Sequence, residues 1–333
     1  MKKYGVIVLG VAMFIAPRIE AKFIKKVVIP AAGIGSRFLP LTKAIPKEMI
    51  PLTEKPAMHF IAEEAQGSGL TDLVVISSDF KQALKNYFDP FKSEFLKPLG
   101  KYHMVEAHEQ ALANLSFTYV EQDAPKGLGH AVLLSEPEIG NNYFGVILPD
   151  DIYLADDPAI GQLMRIAERE QASVIAVQEV PMHMVQNYGV ISFSKQIDPL
   201  TFEINDLVEK PAREKAPSNL AIVGRYVLSP KVYESLKYLQ AHNMLTKNEL
   251  QLTDAIAHML KNSGERVIAY IVQGERHDTG NPLGWMKAVI ANGMRDPRYH
   301  DQLVEFMEQR LYKDAQISTF HATKYHEQTA RLD

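Results

Sequence analysis

The chain contains no cysteine, a single tryptophan and no run of basic residues, and these absences remove whole classes of protein. Without thiols there is no disulfide scaffold, no cysteine nucleophile and no thiolate metal site. The redox compartment stays open, because a cysteine-free chain folds equally well in either. The formal charge is −4, from 36 Lys and Arg against 40 Asp and Glu, so there is no electrostatic footprint for nucleic acid, which is not an expected partner. No apolar run reaches the roughly 20 residues of a membrane-spanning helix, and no membrane partner is expected. Fixed-period repeats and low-complexity linkers are also missing. What is present is 46% apolar residues over 333 positions, enough for about two domains or one large α/β unit.

Lys2 and Lys3 precede an apolar run from Tyr4 to Ala16, and Ala21 stands where a small-residue cleavage site would end. Together these resemble the parts of a secretory signal. An upstream extension, or a mis-chosen start codon ahead of a domain beginning near Lys25, gives the same pattern. Beyond it, short β-rich runs alternate with amphipathic segments of helical length, which argues for βαβ units and a mainly parallel sheet. Residues 27–29 read as a buried first strand, and a helix should start at Pro56 with Met58, Ile61, Ala62 and Ala65 on one face. Further strands are expected at 73–76, 117–120, 146–148, 173–177, 190–193, 222–228 and 267–271, with helices around 158–169, 230–239, 252–260 and 282–292. Leu303, Phe306, Met307 and Leu311 recur at helical spacing, so the tail reads as a helix packed on its own domain or on a second copy.

The stretch Ala31-Ala32-Gly33-Ile34-Gly35-Ser36-Arg37-Phe38-Leu39-Pro40 directly follows the first strand. Glycines there let the backbone approach a phosphate, and free N–H groups form an anion-binding nest. Both common nucleotide motifs fail: a dinucleotide fingerprint needs glycine where Phe38 stands, and a Walker loop needs Gly-Lys-Ser/Thr. Arg37 is followed by Thr42-Lys43-Ala44-Ile45-Pro46-Lys47-Glu48-Met49, and cations beside a Gly-rich turn suit a triphosphate. Asp150 and Asp151 end the strand at 146–148, on the edge where open α/β sheets bind ligands. A carboxylate there suits Mg²⁺, which takes few carboxylates plus phosphate oxygens, although a solvated or helix-capping pair has the same sequence. Taken alone, Glu209-Lys210-Pro211 reads as a surface ion pair at a turn.

The chain resembles the sugar-phosphate nucleotidylyltransferases, in their bacterial uridylyltransferase branch. The likeness rests on Ala31 to Arg37, Pro46-Lys47-Glu48-Met49, Lys55-Pro56, Gln122 with Gly127-Leu128-Gly129-His130-Ala131-Val132, and Leu148-Pro149-Asp150-Asp151. It continues through Tyr188-Gly189-Val190-Ile191, Asp206 to Pro211, Ala216 to Leu228 and Gln251 to Ile256. The resemblance implies a Rossmann-like mixed, mainly parallel sheet flanked by helices, the nucleotide-diphospho-sugar transferase fold. It divides the chain into an extension at 1–24, a catalytic domain at 25–299 with the sugar-binding part interwoven, and a C-terminal helix and tail at 300–333.

The implied activity is transfer of the uridylyl group of UTP to glucose 1-phosphate, giving UDP-glucose and pyrophosphate with Mg²⁺ as cofactor. Asp150 and Asp278 would hold the metal, Arg37 and Lys47 the triphosphate, and Lys210 the phosphate of the sugar. Glu209 would accept hydrogen bonds from glucose hydroxyls, and Gln122 with Gly127 would meet the edge of uracil. Glu48 is expected at the nucleobase end of the site. Ala32, Gly33, Asp151, Gly189 and Gly224 complete the substrate contacts. A sister transferase using dTTP or another sugar 1-phosphate, and a non-catalytic UDP-glucose-binding homologue, remain alternatives. A cytoplasmic homo-oligomer is expected, and the cytosolic supply of UTP favours reading 1–24 as an extension. The chain departs from the family pattern at Glu121, Lys126, Ser77-Ser78-Asp79 and Asn281-Pro282.

Overall fold

β-Branched runs punctuated by proline and glycine become eleven strands in the computed structural model, which describes residue 20 and residues 24–311. The signal-like run and the end of the tail lie outside the described residues. The strands are β1 (Lys26–Pro30), β2 (Asp72–Ser77), β3 (Ser116–Glu121), β4 (Phe144–Ile147), β5 (Asp151–Leu154), β6 (Ser173–Glu179), β7 (Gly189–Asp198), β8 (Thr201–Glu209), β9 (Leu220–Leu228), β10 (Val267–Ile271) and β11 (Glu275–Asp278). The helices are α1 (Ala57–Gly67), α2 (Gln82–Phe88), α3 (His103–Ala111), α4 (Leu128–Leu134), α5 (Glu136–Ile139), α6 (Ala159–Glu170), α7 (Lys231–Ala241), α8 (Leu252–Asn262) and α9 (Pro282–Arg295).

Nine strands form one sheet in the order β3-β2-β1-β4-β9-β6-β10-β8-β7, and β11 pairs with β5 in a second. β3, β2, β1 and β4 pair in parallel, as do β6 and β10. β9 runs antiparallel to both β4 and β6, so those two point the same way and the sheet is mixed but mostly parallel. The chain leaves β1 for β2 on one side and returns as β4 on the other. That reversal opens a crevice at the carboxyl ends of β1 and β4, the position at which such sheets take ligands.

Alternation along the strands sends side chains to two cores. Val27, Ile29, Leu73, Val75, Ile147 and Val174 face the core under α1, α6 and α9, with Met58, Ile61, Leu163 and Ala288. Val28, Val74, Ile76, Val146 and Ile175 face the other, with Val132 from α4, Leu236 from α7 and Ile256 from α8. Each fully buried Val, Leu or Ile contributes about 1.5–3 kcal/mol, and a one-residue register slip would exchange the two sets.

The structure extends the expected elements in three places. The run at 190–193 belongs to the ten-residue β7, paired with β8 in a long hairpin that also reaches β9 at Val190–Ala221. Its polar outer residues hide it from a search for buried parallel strands. β11 is Glu-Arg-His-Asp, with no apolar period, and exists because β5 supplies its ladder. In the tail, residues 300–311 are helical, and Leu303 packs against α9, where a Cβ placed on Gly293 would lie 3.0 Å from its Cδ2. Among the described residues no helix is long and apolar enough to cross a membrane.

One buried cation locks the crevice. Arg225, in the middle of β9, has no exposed surface. Its Nε and Nη2 donate to the two oxygens of Glu64 on α1, at 2.8 and 2.7 Å. Nη2 also donates to Asp151 O at 2.7 Å, and Nη1 to Gly224 O at 3.0 Å. A bidentate pair holds the guanidinium plane, and the carbonyls of Gly224 on β9 and of Asp151 after β4 complete it. Replacing Glu64 by Ala leaves this charge buried and unpaired, so urea unfolding should show a loss of about 3–5 kcal/mol. Lys237→Ala, at the exposed pair with Glu136, should cost less than about 1 kcal/mol. Equal losses would mean that Arg225 is not the lock.

Candidate active site

Asp150 follows β4 and Asp278 ends β11, far apart in sequence, and the structure brings them together at Gly280. A Cβ built on Gly280 would lie 3.0 Å from Asp150 Oδ2, 3.0 Å from Asp278 Oδ1 and 3.5 Å from Arg37 Nη1. The turn is held by Thr279, whose backbone N–H donates to Asp150 O at 2.7 Å, and by the β5–β11 ladder, which sets Asp278 opposite Asp151. Lys47 Nζ lies 2.6 Å from Asp150 Oδ2. Burial alone would raise the Asp150 pKa, but Lys47 and then Arg37 outweigh it and hold the carboxyl below its usual range. Burial likewise opposes the charge on Lys47, and Asp150 and Glu48 overcome it, so the ammonium stays above its ordinary value. Two hard carboxylates and two cations therefore converge at the mouth of the crevice. Among the described residues no group of three or more His, Cys, Asp and Glu could hold a metal by itself; a pair of carboxylates matches an ion that takes its other ligands from water and phosphate.

Asp151 is committed to the protein. Its Oδ2 accepts from Gly224 N at 2.8 Å and its Oδ1 meets Arg276 at 2.5 Å. Burial, and after it the charge of Asp150, raise its pKa against the opposing pull of Arg276. Glu48, expected at the nucleobase end, is sealed beneath the Gly-rich loop instead. Both of its oxygens pair with Lys81 Nζ, at 3.0 and 2.8 Å. Lys81 also donates to the carbonyls of Ala31 and Gly33. Burial holds its pKa below that of an ordinary lysine, against the pull of Glu48. The loop carbonyls thus turn inward onto a buried ammonium. Nothing in the sequence separates Lys81 from other helix-flanking lysines.

Ala31 N donates to Ile76 O, and Gln122 N to Ser77 O, so the end of β2 sets the loop and Gln122 side by side. Gln122 is buried, and its Nε2 lies 2.8 Å from His130 Nδ1 on α4. Gly127 has φ 101°, and a Cβ there would lie 2.6 Å from Leu250 O. Only glycine permits that turn and that approach. Lys126, a departure from the family pattern, points outward to Asp123. Asn281, another departure, caps α9 by accepting from Gly284 N at 2.9 Å.

At the far end of the crevice Gly189 pairs with Glu209 across β7 and β8. A Cβ on Gly189 would lie 3.2 Å from Glu209 Oε2 and 3.0 Å from Thr253 Oγ1. Lys210 adopts φ 46°, a conformation that costs a non-glycine residue on the order of 1 kcal/mol. Its N–H is held by Tyr188 O at 3.0 Å, and its Nζ lies 3.1 Å from Glu209. Tyr188 in turn lies under Arg276, the partner of Asp151. Of the residues expected at the site, Asp150, Asp278, Arg37 and Lys47 meet around Gly280, while Glu48 and Asp151 are turned to the protein. Arg225, Arg276, Lys81 and His130 carried no separate signal in the sequence.

Residues 26–291 match the family model described as nucleotidyl transferase. The chain is 42% identical over 295 residues to a UTP–glucose-1-phosphate uridylyltransferase of Staphylococcus haemolyticus, covering 86% of this chain and 99% of that protein. It is 43% identical over 290 residues to the enzyme of the same name from Staphylococcus epidermidis, with the same coverage. A UDP-glucose pyrophosphorylase crystallised with UDP-glucose superposes with a TM-score of 0.73 at 38% identity, over 82% of this chain and all of that one. The UTP-bound enzyme of Acinetobacter baumannii gives 0.77 at 34%, over 85% and 98%. With its crevice, paired carboxylates and Gly-rich loop, the chain belongs to the nucleotidyl transferase family.

Proposed function

We propose that this chain transfers the uridylyl group of UTP to glucose 1-phosphate, forming UDP-glucose and pyrophosphate. The observation that carries the reading is the convergence of Asp150, Asp278, Arg37 and Lys47 on one point at the topological switch. A phosphate oxygen of glucose 1-phosphate bonds to the α-phosphorus of UTP, and the bond from that phosphorus to the bridging oxygen of the β-phosphate breaks, releasing pyrophosphate. No protein nucleophile is needed, because such transfers depend on positioning and on neutralising phosphate charge.

Arg37 and Lys47 hold the triphosphate, with Ala32 and Gly33 supplying backbone beside it. Lys210 binds the attacking phosphate, and its backbone conformation is what sets that side chain after β8. Glu209 and Gly189 line the sugar end, and Gln122 with Gly127 the uracil end. Asp150 and Asp278 would hold Mg²⁺, which supplies charge neutralisation between the two phosphate groups. Asp151, Gly224 and Glu48 act as supports: the first two fix the turn that carries Asp150, and Glu48 with Lys81 shapes the phosphate loop. The catalytic unit is read as 25–299, with the helix beginning at 300 as an appendage. The exposed stripe of Leu283, Met286 and Ile290 on α9 supports a homo-oligomer, and the use of UTP supports a cytoplasmic enzyme.

Pyrophosphate release from UTP and glucose 1-phosphate tests the reading, with dTTP and other sugar 1-phosphates as comparison substrates. Release should need a divalent cation, vanish with EDTA and return with Mg²⁺. UDP-glucose binding without any release would make the chain a non-catalytic homologue. Asp150→Asn and Lys210→Ala should each lower turnover by about 10²–10³, the loss seen for one oriented electrostatic group, in protein with unchanged unfolding. Gly280→Ala pushes a methyl between the carboxylates and should cost about 10²-fold in kcat. Wild-type kcat in that variant would place the metal site elsewhere.

A further inference from the structure

Lys47 spans the gap between the Gly-rich loop and the paired carboxylates. Its stem lies against the loop, where a Cβ on Gly35 would come within 3.2 Å of Lys47 Cβ and 3.4 Å of its Cγ. Its ammonium donates to Asp150 Oδ2 at 2.6 Å. That oxygen is the one turned toward Asp278, since the position beside Gly280 that lies 3.0 Å from it also lies 3.0 Å from Asp278 Oδ1. Asp278 Oδ1 in turn accepts from Gly280 N at 2.9 Å, and Arg37 Nη1 donates to Gly280 O at 3.4 Å. Two carboxylates and two cations thus cancel in formal charge around this turn. The adjacent acids Asp151 and Glu48 leave that balance alone, because they are paired with Arg276 and Lys81.

We propose that Lys47 reserves the metal seat for an ion that arrives with the nucleotide, its ammonium occupying Asp150 until a triphosphate draws it away. This deepens the proposed function and rests on Asp150 and Asp278 being the metal ligands. A bare divalent cation meets a site without net charge, and it must displace an ammonium from the oxygen that both would use. Like charges so close together, partly removed from water, repel strongly enough to decide the outcome. A triphosphate changes the balance, because it brings several negative charges and offers Lys47 and Arg37 strong partners beside the Gly-rich loop. The lysine need only turn about its outer bonds, since its stem already lies on that loop. Asp150 Oδ2 is then released just as phosphate oxygens become available to complete an ion's ligand set. The residue that binds the nucleotide therefore also selects the form of the ion: the metal–nucleotide complex is accepted and the bare ion is refused. The two binding events are coupled through one ammonium, and the coupling is reciprocal.

Equilibrium dialysis of the full-length protein against Mn²⁺, with the free ion read by electron paramagnetic resonance, tests this without turnover. In the wild type without nucleotide, Mn²⁺ should bind weakly. Lys47→Gln removes the ammonium and should tighten binding by about tenfold or more, with a matching rise in Tm when Mn²⁺ is added. Lys47→Arg keeps a cation and should exclude the ion as the wild type does. With UTP present, the wild type should retain Mn²⁺ and nucleotide together. Equal affinity for the bare ion in the wild type and Lys47→Gln, whether tight or absent, overturns the proposal, as does tight binding in Lys47→Arg. If Lys47→Gln does not fold, Lys47→Met, whose stem can still pack on Gly35, carries the same comparison. Asp150→Asn, placed in the wild type and in the Lys47→Gln background, separates the two layers. Mn²⁺ binding that survives it rejects Asp150 as a metal ligand, and with it the reading on which the proposal rests. Binding that Asp150→Asn abolishes, yet that is equal in the wild type and Lys47→Gln, rejects the role of Lys47 alone.

Discussion

The guanidinium of Arg225, wholly removed from water, joins three parts of the molecule that the chain visits separately. Glu64 comes from α1, the backbone of Gly224 from β9, and the carbonyl of Asp151 from the turn after β4. Such a charge is costly to bury and tolerable only when every donor is met. The requirement runs outward from it: the turn must keep its shape, so Asp150 stands at the end of β4, and β5 must follow directly to pair with β11. Asp151 closes the same network from the other side, bound by Gly224 N and Arg276. The carboxylate that faces the crevice is thus held by one that does not.

The same division of labour recurs at the Gly-rich loop. Lys81 and Glu48 are buried beneath the loop, and the ammonium gathers the loop carbonyls of Ala31 and Gly33. At the loop a buried ion pair holds the backbone in place, which spares it the reorganisation that flexible groups undergo on binding. For a protein of net charge −4 acting on polyanions, this matters. Global attraction is absent, and on the proposed reading the cations Arg37, Lys47 and Lys210 supply it locally.

Much of the fold was legible because burial on both faces of a parallel sheet leaves a plain mark. Val27-Val28-Ile29 and Leu73 to Ile76 are apolar at every position, and only a strand covered twice needs that. The amphipathic helices at α6 and α8 were equally clear from their spacing. β11 and the outer half of β7 were not, since their residues are polar and their pairing partners lie elsewhere in the chain. The α2 and α3 region, with Phe91 and Met104 exposed, likewise gave no periodic signal.

The sequence by itself determined the kinds of chemistry available and their order along the chain: glycines and cations after the first strand, carboxylates after a later one, a Glu-Lys pair after a third. It determined the family, since so many ordered motifs identify it. Only the tertiary structure decided which groups meet a ligand and which hold others in place. Asp150 and Asp151 are neighbours of the same type, and Lys47 and Glu48 are neighbours of opposite charge, yet one of each pair lies at the crevice and the other is spent on a buried partner. That outcome depends on Arg276, Arg225 and Lys81, which arrive from distant segments, and no local pattern records a contact made across so much of the chain.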